Sequence, residues 1–354
     1  MDRVLNVLVV DDSVLIQQVL SEVLSSDPSI NVVGVASDPY EARVLIKELK
    51  PDVITLDIEM PRMDGITFLR NLMKLHPLPV VMLSTLTAQG ADETLTALEL
   101  GAVDFIQKPK LGASSMAASS FAQELIEKVK TAGGIKSRIM ARLPQRIPAP
   151  VDTLQKLNLG ANRNCLITIG SSTGGTEALQ EVLSVLPVDI PPIVIAQHIP
   201  AAFSLRFAKR LNEKCQISVV EAEHGQALNP GTAYIAPGGY HLRVERHGAI
   251  LRCRIDDSEP VNRHKPSVEA LFDSVVSASI KSVIGVMLTG MGNDGAEAML
   301  RLRQSGAHTI AQDEASSMIW GMPGSAVKLG AAAEVLPLNK IPAALIQRLR
   351  SSQS

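Results

Sequence analysis

Val7-Leu8-Val9-Val10-Asp11-Asp12-Ser13 is the stretch from which the fold of the first third of this chain is read. Four apolar residues stop abruptly at two carboxylates. A short continuous apolar run with polar ends is the pattern of a strand covered on both faces. From Val14 to Leu24 the apolar residues change to helical spacing. The same alternation then recurs. Ile30 to Val35 reads as a strand and Glu41 to Leu49 as a helix. Val53 to Leu56, Val80 to Leu83 and Phe105-Ile106 read as three more strands. Strands of this kind separated by helices predict a parallel α/β sheet, which binds ligands at the carboxyl ends of its strands.

The chain has 354 residues, which at roughly 100–200 residues per domain predicts two domains or more. Apolar residues make up 46% and charged residues 20%, enough apolar material to exclude global disorder. The formal net charge of −2 gives no sign of a nucleic-acid binder, and 3% aromatics offer few stacking platforms for single strands. Cys165, Cys215 and Cys253 lie far apart with no C-x-x-C, which argues against a disulfide framework or a zinc ribbon and fits a reducing compartment. The amino-terminal residues lack the pattern of a signal peptide, and no stretch approaches the ~18 apolar residues of a membrane span. A cytoplasmic protein without membrane insertion is expected.

Between Lys128 and Arg146 six basic residues occur with no acidic one, followed by Pro148 and Pro150. This reads as a linker, set at 126–162. Ile135, Ile139, Leu143 and Ile147 are spaced by four, which suits either an amphipathic helix that docks or a solvated basic tether. A second alternation follows over 163–354. Leu166–Ile169, Ile193–Ala196, Ala233–Ala236, Val283–Leu288 and Thr309–Ala311 read as strands. Ala178–Leu186 and Gly295–Arg303 read as helices. A doubly wound, mostly parallel α/β domain is predicted here.

In the first domain, Asp11 and Asp12 follow the first strand, Asp57 the third, Ser84 the fourth and Lys108-Pro109 the fifth. A parallel sheet brings all of them to one edge. Clustered carboxylates repel one another unless a cation sits among them, and hard oxygen ligands suit Mg²⁺. A carboxylate can also attack phosphorus to form an aspartyl phosphate. Taken singly, each residue is equally a helix cap or a solvated loop carboxylate.

Together, Val9-Val10-Asp11-Asp12-Ser13, Leu56 to Pro61 with Asp64-Gly65, Ser84 and Lys108-Pro109 resemble a two-component receiver domain over residues 1–125. The resemblance implies a flavodoxin-like (βα)5 fold with Asp57 as phosphoacceptor. It implies that Asp12, Asp57 and the main-chain carbonyl of Glu59 hold Mg²⁺, with Asp11 in support. Lys108 would contact the phosphoryl group, and Ser84 would be the hydroxyl that moves toward it.

In the second domain Gly170-Ser171-Ser172-Thr173-Gly174-Gly175 directly follows a strand. Read as G-x-S-x-G, it places Ser172 on a tight strand-to-helix turn that exposes the hydroxyl and offers backbone N–H groups to an oxyanion. An N-cap serine in a glycine-rich turn gives the same pattern. A dinucleotide loop would need G-x-G-x-x-G, which the glycines do not match. A serine nucleophile needs a base, and His198 ends the next strand. A histidine base needs a carboxylate, and Asp294 follows a later strand, where it could equally cap a helix. The order Ser…His…Asp differs from that of the α/β-hydrolases.

Ile169 to Glu177, Gln197-His198-Ile199-Pro200, Tyr234 to Gly238, Pro260 to Ser267, Leu288 to Ala296, and Ala311-Gln312 through Pro323 resemble the catalytic domain of the chemotaxis protein-glutamate methylesterase family (CheB). With the receiver domain in front, nearly the whole chain is covered. The resemblance implies Ser172 as nucleophile, His198 as base and Asp294 as its partner. Thr173 and Met291 would line the site, with the Met291 N–H as an oxyanion donor. Ser171 is a departure, since the family usually has Ala there, and it leaves two adjacent serines as candidates. His264 is a rival base or substrate contact.

The implied activity is hydrolysis of glutamate γ-methyl esters, with deamidation of glutamine, on methyl-accepting chemoreceptors. A CheA-type histidine kinase would be the phosphodonor, and the esterase step would need no cofactor. The resemblance also implies that the unphosphorylated receiver hinders the esterase cleft. A response regulator whose second domain only binds a partner is the alternative.

Overall fold

The computed structural model describes residues 3–85, 87–108, 115–135 and 165–351. The chain divides into two compact units, Met1–Gln145 and Arg146–Ser354.

The first unit alternates strands and helices throughout: β1 (Leu5–Val10), α1 (Val14–Ser25), β2 (Ile30–Ala36), α2 (Pro39–Leu49), β3 (Val53–Asp57), α3 (Gly65–Leu75), β4 (Val80–Ser84), α4 (Ala88–Glu99), β5 (Asp104–Gln107) and α5 (Ser115–Gly134). The strands pair in parallel in the order β2-β1-β3-β4-β5. All five residues of β3 and of β4 are buried, which is why both read as unbroken apolar runs. The order reverses between β1 and β3, and a doubly wound sheet opens its ligand crevice at that switch point. Asp11 follows β1 and Asp57 ends β3.

The stretch read as linker from residue 126 begins inside α5. Leu125, Val129 and Ala132 bury one face of that helix in the first unit, and Ile135, just past its end, is buried too. Lys128 Nζ lies 3.1 Å from Asp104 Oδ1, and Lys130 Nζ lies 3.0 Å from Asp27 Oδ2. In sequence these lysines open a run without acids; Asp104 and Asp27 lie 24 and 103 positions away, and Glu124, which also pairs with Lys128, lies just before the run. Ile139, Leu143 and Ile147 lie outside the described residues.

In the second unit β6 (Cys165–Ser171), α6 (Gly175–Leu183), β7 (Ile193–Gln197), α7 (Ala201–Lys214), β8 (Ser218–Glu221) and β9 (Thr232–Ile235) come first. A hairpin of β10 (His241–His247) and β11 (Ile250–Asp256) interrupts the alternation. Then follow α8 (Val268–Ser277), β12 (Ser282–Met287), α9 (Ala296–Gln304), β13 (His308–Gln312), α10 (Met322–Lys328), β14 (Glu334–Leu336) and α11 (Ile341–Ser351). Seven strands pair in parallel in the order β14-β13-β12-β6-β7-β9-β8. From β6 the chain moves to β7, then to the edge strand β8, back to β9 between them, and crosses to the other side at β12. The switch point therefore lies between β6 and β12. The core beneath it includes Leu166, Val194, Tyr234, Val268, Phe272 and Met287.

β10 and β11 pair antiparallel outside the large sheet. Neither they nor the edge strands β8 and β14 are apparent in the sequence reading. Their burial alternates or is slight, so their apolar runs are broken.

Candidate functional site

Each sheet carries a cluster of polar side chains at its switch point. In the first unit Asp11 and Asp57 are buried, and Lys108 Nζ lies 2.8 Å from Asp11 Oδ2 and 2.7 Å from Asp57 Oδ2. The Ser13 N–H holds the other Asp11 oxygen at 2.9 Å. Burial pushes the Asp57 carboxyl up to about 6, although the Lys108 ammonium opposes it. Burial disfavours the Lys108 cation, but its contacts with Asp11 and Asp57 raise its pKa overall.

One carboxylate oxygen from each of Asp11, Asp12 and Asp57 lies within 4.8 Å of the others. Asp57 Oδ1 is buried with no hydrogen-bond partner among the described residues. Three carboxylates with an orphaned oxygen among them fit a hard divalent cation. The helix α3 closes tightly on this edge: a Cβ at Gly65 would sit 2.0 Å from the Asp57 carbonyl oxygen, so only glycine fits. Glu59 is exposed beside the pocket, and its Oε1 accepts from Thr85 Oγ1 at 3.2 Å. Ser84 is buried at the end of β4 and turned toward α4, with its Oγ 2.6 Å from Thr94 Oγ1. Pro109 lies outside the described residues.

In the second unit the β6–β7 register pairs Ser171 with Gln197. The next residues, Ser172 and His198, are therefore neighbours. His198 Nδ1 lies 3.1 Å from Ser172 Oγ, and its Nε2 lies 2.9 Å from Asp294 Oδ2. One imidazole thus bridges a hydroxyl and a carboxylate. Asp294 is 1% exposed and follows β12, the strand on the other side of β6.

Ser171 is excluded from this line. It is fully buried, and its Oγ donates to Gln197 Oε1 at 2.6 Å. The Gln197 Nε2 donates to the carbonyl oxygens of Ser172 and His198, each at 3.0 Å. Gln197 thereby ties the two loop ends together. Gly174 adopts a φ of 74°, which lets the chain turn from β6 into α6 directly after Thr173. The Ser172 N–H donates to Thr289 O at 3.0 Å. Thr173 is buried next to Ser172, and Met291 is half-buried in the loop after β12.

Asp294 does not cap the helix that follows it, whose N-cap is Gly295. Its carboxylate instead meets the amino end of α8. Oδ2 accepts the Val268 N–H at 2.7 Å, and Oδ1 accepts the Ser267 hydroxyl and Asn262 Nδ2, each at 2.9 Å. Burial raises the Asp294 pKa, yet His198 and these donors outweigh it and bring the carboxyl to about 2. Gln197, Asn262 and Ser267 were not singled out by sequence reasoning. Ser267 carried a signal, as a serine directly before the helical run Val268–Ser277. It is His198, not His264, that stands between Ser172 and Asp294; the His264 ring stacks on it with centroids 3.7 Å apart and planes at 13°.

A family profile described as CheB methylesterase matches residues 167–345, and one described as response regulator receiver domain matches residues 7–117. The chain belongs to the CheB methylesterase family. It is 54% identical over 97% of its length to protein-glutamate methylesterase/protein-glutamine glutaminase 2 of Saccharophagus degradans, covering 98% of that protein. It is 53% identical over 96% of its length to protein-glutamate methylesterase/protein-glutamine glutaminase 1 of Xanthomonas campestris pv. campestris, again covering 96% of it. The solved CheB methylesterase catalytic domain of Thermotoga maritima aligns with 52% of this chain and 97% of its own, at 38% identity and a TM-score of 0.50.

The residues matched by the CheB methylesterase profile include Ser172, His198 and Asp294. The receiver profile contains Asp11, Asp12, Asp57, Ser84 and Lys108. Among the described residues, no helix is long and apolar enough to cross a membrane.

Proposed function

We propose that this CheB-family chain is a serine esterase that removes methyl groups from glutamate γ-methyl esters of chemoreceptors in the cytoplasm, and that phosphorylation of Asp57 activates it. The bridging of Ser172 and Asp294 by His198 carries this reading.

In the free enzyme the His198 Nε2–H donates to Asp294, which leaves Nδ1 as the acceptor for the Ser172 hydroxyl. As Ser172 Oγ attacks the ester carbonyl, its proton passes to Nδ1. The buried Asp294 carboxylate stabilises the imidazolium that forms. The Ser172 N–H is committed to Thr289; the family resemblance supplies Thr173 and Met291 as residues lining the site, with the Met291 backbone N–H as the oxyanion donor. When the tetrahedral intermediate collapses, the Nδ1 proton goes to the departing methoxide and methanol is released. Water then attacks the acyl-enzyme, giving up a proton to Nδ1; as the acyl C–Oγ bond breaks that proton returns to Ser172 Oγ, and the glutamate carboxylate leaves. With a glutamine side chain the first leaving group is ammonia, so the same steps account for glutaminase activity. No step here calls on a cofactor.

In the receiver unit the phosphoryl group of a CheA-type kinase would transfer to Asp57. Asp12, Asp57 and the Glu59 carbonyl, with Asp11 in support, would hold Mg²⁺, which offsets the charge of the incoming group. Lys108 stands against Asp57 Oδ2, close enough to pair with a phosphoryl oxygen. Ser84 would turn from Thr94 toward that group. Removal of receptor methyl groups under kinase control is a means of sensory adaptation.

The test is methanol release from methylated receptor fragments in the presence of a phosphodonor and Mg²⁺. Wild type releases methanol and Ser172→Ala, still folded, does not. Release by neither would leave the second unit as a binding module. A chain lacking residues 1 to about 150 should be more active than the intact unphosphorylated enzyme. Equal activity of the folded fragment counts against control by the receiver.

A further inference from the structure

His198 offers Nδ1 to Ser172 and Nε2 to Asp294, so the orientation of a single ring decides whether the relay exists. The outer torsion of histidine is a broad sp³–sp² rotation with no sharp minimum of its own. Rotating the ring about that bond by a few tens of degrees would tilt its plane and swing Nδ1 out of line with the serine oxygen. Asp294 holds one corner of the ring, and a hydrogen bond to a rotatable hydroxyl is a weak hold on the other. The face of the ring needs a support.

That support is a turn between β11 and α8. Val261 and His264 exchange both of their backbone N–H···O bonds, at 3.1 and 2.9 Å. The residues between them, Asn262 and Arg263, have φ of 51° and 68°. Positive φ at both central positions is the requirement of a type I′ turn, which arginine adopts reluctantly. The turn delivers two side chains to the relay at once. Asn262 Nδ2 reaches Asp294 Oδ1, and the His264 ring lies flat on the His198 ring at 3.7 Å and 13°.

We infer that Val261–His264 is a positioning turn, in which the His264 ring holds the plane of His198 so that Nδ1 faces Ser172. The inference rests on the Ser172–His198–Asp294 reading above. The role assigned to His264 is positional: it acts through the ring of His198 on which it stacks. What it contributes is a flat ring in van der Waals contact, so another flat ring should serve and a methyl group should not.

The experiment uses the full chain and an activated fluorophosphonate, which labels a base-activated serine whatever the natural substrate is. Labelling of Ser172 is timed for wild type, Ser172→Ala, His264→Ala and His264→Phe, and kcat and KM for methanol release are measured on the same proteins. His264→Ala should label roughly 10- to 100-fold more slowly, with kcat reduced in proportion and KM unchanged. His264→Phe should recover most of the rate, because the ring face is restored. If His264→Ala proves unfolded, His264→Leu takes its place as the non-planar variant. Labelling of wild type with no loss in the non-planar variant overturns the inference. So does a His264→Phe rate as low as that of the non-planar variant. Failure of wild type to label at Ser172 is a separate result that removes the serine relay itself.

Discussion

Asp294 Oδ2 accepts the Val268 N–H at 2.7 Å, so the carboxylate that faces His198 is held by the first turn of a helix to which it does not belong. The unpaired N–H groups of a helix start favour a negative charge there. Ser267 and Asn262 add two more donors. Asp294 is thus surrounded by donors, and an amide in its place must aim its NH₂ at some of them. Asp294→Asn should lower methanol-release kcat roughly 10³- to 10⁴-fold through loss of the histidine tautomer. It should also destabilise the second unit by about 1–3 kcal/mol through unsatisfied donors. Steady-state kinetics and urea unfolding check the two effects separately.

The same carboxyl sets a pH dependence. Its pKa falls from 3.8 to about 2 on folding. A lowered carboxyl stabilises the fold above its unfolded pKa, and that contribution disappears as pH falls from about 4 to about 2. The loss should amount to about 2 kcal/mol. Wild type should lose more stability than Asp294→Asn when unfolding is compared across that window. Equal losses would rule out Asp294 as the source.

Asp57 behaves with the opposite sign. Burial raises it from 3.8 to about 6, so the folded chain binds more protons than the unfolded chain between those values. Stability falls as pH rises through this range. Asp57→Asn removes the buried charge, at the expense of one Lys108 partner. The variant should be more stable than wild type at pH 7.5 by about 1–3 kcal/mol, with the gap closing toward pH 4. It should also lose labelling by a small phosphodonor while basal esterase activity persists. Full labelling of the variant would point to another acceptor.

A divalent cation should act on the same strain. Because Asp11, Asp12 and Asp57 bring oxygens within 4.8 Å of one another, Mg²⁺ should stabilise the wild-type receiver unit. Above saturation each tenfold rise in Mg²⁺ adds about 1.4 kcal/mol to unfolding. The response should be greatest above pH 6, vanish with a chelator and be much reduced in Asp57→Asn. An unchanged unfolding midpoint across a Mg²⁺ titration at pH 7.5 would refute a built cation site.

The two adjacent serines should separate cleanly. Ser171→Ala strips the buried Gln197 Oε1 of its donor, which should lower stability by about 1–3 kcal/mol. Catalysis should survive, since Gln197 still donates to the Ser172 and His198 carbonyls. Ser172→Ala should do the reverse, with stability close to wild type and methanol release abolished.

Much of the architecture could be read from the chain. β3 and β4 are buried along their whole length, so each appears as an apolar run that needs no alignment to see. Ser172, His198 and Asp294 each follow such a run, and parallel pairing brought them together as the sequence suggested. The first domain was read as residues 1–125, and α5 continues past that point to Gly134. The lysines of α5 read as a tether until Asp104 and Asp27 are seen beside them. The hairpin β10–β11 was missed because strands outside a two-sided core lack the continuous apolar signal.

The sequence by itself determined the element types, the two α/β sheets and the strand ends at which polar residues gather, because burial on both faces dictates local composition. Only the tertiary structure decided how those ends are used. The β6–β7 register turned Ser171 toward Gln197 and left Ser172 to His198. The amino end of α8 met Asp294 rather than leaving it to cap its own helix. The turn at Asn262-Arg263 laid His264 on His198. Each of these contacts joins residues far apart in the chain through side-chain direction. Direction is set by packing and register, which local sequence does not encode.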